Sequence, residues 1–508
     1  MSKKKRQLLI ALAVVVVLGA LVAVLTLLPS GDAGTTSSGE ASSTASTEEV
    51  TLYQHDKTDL KKLVLTNEFG TFTLTAQPDG DAMTYALEGY EGLNVSASVL
   101  TSIAEFGNKL VVYREIGDTT DLASYGLDKP AAEFTATYAD GSSVTIQVGN
   151  VLPTDNSRRY AVEKGKKNVF VVSANTLTTV KNASLLSVSL INAAITDSSS
   201  GESSAPSFDS IHISGRDHES KISIYPTSKL HVEETSPLKV YSYYIDGRAK
   251  VPLYSSATEK YLLDMCTVTA TDFAVINPTD AQKTAYGFDD PIILEFTTVE
   301  TDDNGKQTLT PYKLRIGKIN ADGTAYAMLE DVNIIYTVSM DALSVVTMTE
   351  FELRDSLLNL VSVSSVEQIV VKIGDQSYTF DHERKERETS SGASSTSSVI
   401  YDYETYYNGE LLSSFSKYYQ QFLSAYKQEP FTEADQKGNL LFTITLKHYP
   451  ENTKKETVFK VYDCVGNDRR VVYEVDGEII GLAKKSWASK LIEDTDRLLK
   501  GEEITVTE

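Results

Sequence analysis

Two cysteines, one tryptophan and six histidines in 508 residues are the scarcities that first constrain this chain. Cys266 and Cys464 stand far apart and form no CxxC pair, which argues against a disulfide framework and a cysteine-based zinc site. Buried, inert thiols are the expectation. None of the histidines (His55, His212, His218, His231, His382 and His448) belongs to an HExxH or other helical ligand pair. His212 and His218 flank a Gly-Arg-Asp turn, but zinc needs three or four converging donors and the sequence offers no others there. GxSxG, Walker and GxGxxG sequences are missing too. These absences predict no catalytic residues, no metal site and no cofactor. Basic residues are also in deficit, 47 against 70 acidic, for a net charge of -23. Phosphate binding depends on Lys and Arg, so nucleic acid is not an expected partner, and the acidic surface serves solubility.

Long apolar runs are lacking everywhere but at the start. Lys3, Lys4, Lys5 and Arg6 precede an unbroken apolar stretch from Leu8 to Leu28. As a helix it spans about 30 Å, the hydrocarbon thickness of a bilayer. The basic cluster stays cytoplasmic by the positive-inside rule, which sends everything after Leu28 across the membrane. A cleaved signal peptide is the rival reading, but its apolar region is usually about 7–15 residues and ends in a small-residue site, whereas Leu-Leu-Pro-Ser follows this run. The expectation is a single-pass anchor in the cell membrane, with the N-terminus cytoplasmic and the body extracytoplasmic.

Apolar residues make up 41% of the chain, enough for cores in roughly three ordinary domains. Ser30–Glu49 is rich in Ser, Thr, Gly and Ala and reads as a spacer. Thr196–Ser207 (TDSSSGESSAPS) and Glu388–Ser398 (ETSSGASSTSS) have similar composition, the first as a linker and the second as a mobile insertion. Hairpin turns dominate the rest. Asp-Gly begins at Asp79, Asp140, Asp246, Asp322 and Asp476, and Asn-Gly at Asn304 and Asn408. Phe134–Tyr138 and Val144–Val148 across Asp140-Gly141 form the clearest hairpin. Asp302-Asp-Asn-Gly305 lacks the alternating ligands and distal Glu of a calcium loop and reads as another turn. Helical periodicity is rarer. Val99, Leu100, Ile103, Phe106 and Leu110 share a face that Ser96 or Ser98 would cap, and Leu411, Leu412, Phe415, Tyr418, Tyr419 and Phe422 share another. Tyrosine clusters at 241–244 and 401–407 read as strand filling more readily than as glycan platforms.

A repeat organises these elements. SYGLDKPAAEFTATYADGSSVTIQVG begins at Ser124, and AYGFDDPIILEFTTV, followed after an insertion by YKLRIG, begins at Ala285. Each is followed by a tyrosine-led hairpin, at Tyr160 and Tyr326, ending in a serine placed to cap a helix, Ser173 and Ser339. The last third repeats only the strands, with Phe431–Gly438 where the box belongs. The predicted fold is α+β: one transmembrane helix, then three related modules of antiparallel β-hairpins with packed helices, the third degenerate. The boundaries are a stub over 1–7, the helix over 8–28, a spacer over 29–50, modules over 51–195, 208–362 and 363–508, a linker over 196–207, and a disordered insertion at about 384–399.

Tyr125-Gly126-Leu-Asp128-Lys-Pro130 with Gly149, and Tyr286-Gly287-Phe-Asp289-Asp-Pro291 with Gly317, resemble the YGLDxP box and closing "IG" of the bacterial membrane proteins grouped as domain of unknown function 4340. The second box carries Phe where the family has Leu, and the likeness fades beyond Leu360. The resemblance implies no catalytic residues. It also implies an association with ABC transporter components of gliding-motility type, with a permease and associated subunits as partners alongside the membrane.

Tyr and Asp can do acid–base work, but a structural role accounts for every position of the box. Tyr is an anchor with a polar tip, Gly permits a left-handed turn, Asp bonds its own backbone, and Pro stiffens entry to a strand. The expected function is a non-enzymatic extracytoplasmic accessory or scaffold subunit. A module that binds cell-envelope glycan is the alternative.

Overall fold

The computed structural model describes residues 50–79, 82–232, 236–247, 250–386 and 401–507. The stub and the apolar 8–28 run lie outside the described residues. Among the described residues no helix is long and apolar enough to cross a membrane. Residues 51–508 form one compact unit dominated by three antiparallel sheets, with helices packed on them, which makes the fold α+β.

All three sheets follow one plan. Each has a central antiparallel pair from which two meanders run outward. In the first sheet the central pair is Leu60–Asn67 with Ala132–Tyr138. In the second it is Ser207–Gly215 with Ile292–Thr301, and in the third Val366–Ile373 with Lys437–His448. A helix crosses between the meanders: Ala97–Asn108, Ser255–Met265 and Phe415–Leu423 respectively. The first two sheets close with an outer strand, Arg114–Asp118 on Asn168–Val172 and Ala270–Ile276 on Ile334–Ser339. The third sheet ends at Glu478–Lys484 without one. There the chain only touches the edge, Gln428 N–H donating to Leu482 O and Leu482 N–H to Glu429 O.

Alternation in the sequence becomes alternation of burial, because successive strand side chains point to opposite faces. Ala132, Phe134, Ala136 and Tyr138 are buried while Glu133, Thr135 and Thr137 face outward. The Asp140-Gly141 turn joins that strand to Ser143–Leu152, with Ser142 N–H donating to the Asp140 carboxylate at 2.9 Å. Asn408 and Asp476 adopt φ of 49° and 52°, as the first residue of a type I′ turn requires. The Asp302 carboxylate accepts from Asn304 and Lys306 N–H groups, so that segment is a turn.

Several local expectations shift. Ser96 stands at the cap of the 97–108 helix, but its hydroxyl meets Ser98 Oγ at 3.1 Å and not the helix backbone. Leu110 lies beyond that helix, in a strand, and Leu411 and Leu412 precede theirs. Ser339 caps the following 3-10 turn, whereas Ala174 occupies the corresponding place and Ser173 does not. Residues 384–386 continue a strand paired to Tyr401–Tyr403, and the rest of the expected insertion lies outside the described residues. The segment read as a linker contains a small ladder, Ile195–Thr196 with Ser203–Ser204.

The first two sheets share one continuous core. Residues 188–193 run along the second sheet: Ala270 N–H donates to Val188 O, Leu190 N–H to Val268 O and Ala193 N–H to Cys266 O. Leu186, Leu190 and Ile191 fill the space between, Ile191 being only 1% exposed. The third sheet has its own core, rich in aromatic rings such as Phe380, Tyr418, Phe422, Phe459, Tyr473 and Trp487. Phe422 meets Phe459 edge-on at 5.1 Å, and Trp487 satisfies its indole N–H on Gln421 O.

Candidate functional site

The two boxes stand in separate sheets and do not converge on one site. Each forms a turn that docks on a glycine in an interior strand of its own sheet, Gly149 in Ser143–Leu152 and Gly317 in Gln307–Ile319. Gly126 and Gly287 have φ of 68° and 87°, the left-handed region expected of them. At Gly149 and Gly317 a Cβ would collide with the carbonyl oxygen of Tyr125 and Tyr286 respectively, so the strand must carry glycine for the box to seat. Leu127 is buried beside Gly149, and the Phe288 ring lies against Gly317 in the second copy. The box tyrosine packs edge-on against the hairpin tyrosine in both copies, Tyr125 on Tyr160 at 4.8 Å and Tyr286 on Tyr326 at 4.5 Å. Arginines then bond the glycine carbonyls, Arg159 at Gly149 and Arg216 at Gly317. Asp128 and Asp289 differ from expectation: both are exposed, and neither bonds its own backbone or any other described residue. Pro130 and Pro291 stand just before the strands Ala132–Tyr138 and Ile292–Thr301.

The histidines are dispersed. His212 Nδ1 meets Ser223 Oγ, and His218 Nε2 meets Val346 O. His382 is buried with Nδ1 on Thr405 Oγ1 at 2.8 Å, and burial pulls it down to about 4. His448 Nε2 meets Thr457 Oγ1 at 2.9 Å. Among the described residues no group of three or more His, Cys, Asp or Glu is arranged to hold a metal ion. Burial pushes the Cys266 thiol up to about 12, well away from a nucleophile's range.

The feature that sequence reasoning missed lies between the second and third sheets. Residues 353–358 are tied to both. Tyr254 N–H donates to Leu353 O and Asp355 N–H to Pro252 O on one side; Leu358 N–H donates to Ala425 O and Lys427 N–H to Ser356 O on the other. Under this double attachment lies a cavity of about 320 Å³. Its apolar lining includes Pro252, Leu358, Val361, Phe459, Val475 and Ile480. Lys427 reaches back to the end of the Glu350–Leu353 helix, where its ammonium donates to the carbonyls of Phe351, Glu352 and Arg354. A cation at helical carbonyls is favourable, but burial pulls Lys427 from 10.5 down to about 8. Asp355 is buried and accepts from Leu357 N–H, and its proximity adds to the burial that raises the Tyr241 phenol. Arg354 pairs through Nη2 with Glu350, while its Nε is buried without a partner. No spacing in the sequence announces this site, because its residues come from segments more than 200 positions apart.

Residues 86–190 match one family model, described as Domain of unknown function (DUF4340). That stretch holds the 97–108 helix, the first box and Gly149, and it stops before the second box. No curated protein and no solved structure matches the chain.

Proposed function

We propose that this chain is a membrane-anchored, extracytoplasmic accessory or scaffold protein that works beside an ABC-type transporter. The observation that carries the reading is the repetition of one sheet plan with one polar, outward face each time. On those faces side chains are partnered across strands. Thr135 meets Thr145 in the first sheet, Lys313 bridges Glu295 and Glu330 in the second, and Gln368 joins Asp381 and Lys447 in the third. Such surfaces are held in place by neighbours and suit recognition over an extended area. The apolar 8–28 run with its basic stub supplies the anchor in this reading, and the likeness of the boxes to the DUF4340 family supplies the transporter.

Crosslinking in intact cells, followed by purification of the chain, tests the proposal. An ATPase and a permease should be recovered with it. Recovery of the chain alone, or its retention on purified wall polymer, would replace the scaffold reading with the glycan-binding one. Protease added outside wall-stripped cells should remove residues after the 29–50 spacer, and a protected body would refute the extracytoplasmic placement.

A further inference from the structure

We propose that the free edge of the first sheet, the strand Ala82–Leu87, takes up an extended segment of a partner protein as an added β-strand, one with alternating apolar residues and a Lys or Arg. This rests on the scaffold reading for the partner being a protein.

The other two sheets point to this edge. Counted outward from the central pair, the third strand is Ala82–Leu87 in the first sheet, Tyr243–Asp246 in the second and Tyr401–Tyr407 in the third. The second and third sheets cover that strand with a further one, Lys250–Pro252 and Glu410–Leu411 respectively. Among the described residues the first sheet has none there. Glu88 N–H donates to Thr73 O. By the antiparallel alternation, Thr84 and Ala86 therefore turn their backbone groups to the neighbouring strand, and Met83 and Tyr85 turn theirs outward. No described residue takes those outward groups. Natural edges are commonly guarded by Lys, Pro or charge, and Ala-Met-Thr-Tyr-Ala-Leu carries none of these.

Every residue from Met83 to Glu88 lines one groove of about 650 Å³. Side chains of both strand faces take part, which places the groove on the edge itself. Met83 and Tyr85 are half-buried on the same face as buried Leu87, and the groove continues over Leu93, Val95 and Leu100. An added strand would thus meet apolar atoms with every second side chain while its backbone bonds the edge. The wall at Tyr90 and Glu91 is anchored: Tyr90 Oη donates to Asn182 Oδ1, and Asn277 Nδ2 donates to Gly89 O and Glu91 O. A wall already held adds little ordering cost on binding. The charged residues of the lining are Glu88 and Glu91, with no cation among them, which selects a basic segment. A second copy of this chain would instead bring its own acids, and a net charge of -23, to the same edge.

The test is to pan a phage library of random nonapeptides on the full chain in detergent. Enriched sequences should alternate apolar residues and carry Lys or Arg, and the synthetic peptides should slow hydrogen exchange in residues 82–87. Met83→Pro removes an outward N–H and leaves the inward ladder alone, so it should weaken those peptides about tenfold with little change in the melt. Glu88→Lys should weaken them about threefold. If Met83→Pro fails to fold, the exchange footprint and Glu88→Lys still decide. No enrichment, peptides that leave exchange at 82–87 unchanged, or equal binding by both variants would overturn the proposal. Dimerisation of the chain that Met83→Pro abolishes would overturn it too, by giving the edge to a second copy. The readout needs no transporter, so a missing footprint here and a failure to recover a permease by crosslinking are separate results.

Discussion

The joint between the first and second sheets is filled with side chains, whereas the joint between the second and third encloses a cavity of about 320 Å³ ringed by charge. Both joints use the same main-chain device, a connecting segment hydrogen-bonded to the neighbouring sheet. What differs is the side chains that segment carries. Leu186, Leu190 and Ile191 enter the first joint, whereas Arg354, Asp355 and Asn359 join Leu358 and Val361 in the second. Backbone bonds exchange for bonds to water at small net gain, so they fix alignment more than strength. Close-packed apolar atoms supply the strength, and the first joint has them. The first two sheets therefore should behave as one cooperative unit, and the third as a unit hinged on the cavity.

The largest expected effect tests that unit directly. Ile191→Ala should destabilise both of the first two sheets together by ~2–5 kcal/mol, the cost of a core cavity. Hydrogen exchange should show protection falling in Leu60–Asn67 and in Ile292–Thr301 alike, with the third sheet unchanged. Loss confined to one sheet would break the comparison. Next comes Gly149→Ala, which forces a methyl into the Tyr125 carbonyl and should cost ~1–3 kcal/mol by overpacking. Because the first two sheets share a core, the calorimetric transition of both should move, and Gly317→Ala should do the same.

A third test addresses the charged joint. Lys427 binds its proton less tightly in the folded chain, at about 8, than at its ordinary 10.5. Between those values the unfolded chain holds more protons, so this group makes stability rise with pH across that window. Below pH 8 its penalty is constant. Chemical denaturation from pH 7 to 10.5 should show this rise in the third-sheet transition, and Lys427→Met should remove it. An identical pH profile in the variant would separate Lys427 from the joint's stability. The smallest effect belongs to Asp128→Asn. The side chain is exposed and unpartnered, so the melt should move by about 0.5 kcal/mol or less. A loss of function in that variant without loss of stability would mark the box as a working site.

The hairpins were legible in the sequence because a turn such as Asp140-Gly141 and its flanking alternation are local properties. The boxes were legible in part. Glycine at 126 and 287 signals a left-handed turn by itself, while the role of Asp128 was misread, since an Asx turn and an idle surface carboxylate look alike in a string. The lone third-sheet edge was foreshadowed by the missing box, yet nothing in Phe431–Gly438 shows that an outer strand would be lost with it.

The chain by itself determined the strand periodicity, the position of most turns and the glycines on which the boxes close, since each follows from the preferences of residues near one another. Tertiary structure decided that the second joint stays hollow, although its segment also carries Leu358 and Val361. The cavity lies where Pro252, Leu358, Phe459 and Ile480, distant in sequence, line one space. Whether such walls touch depends on volume and on how two sheets are tied, and neither is written in any short stretch of residues.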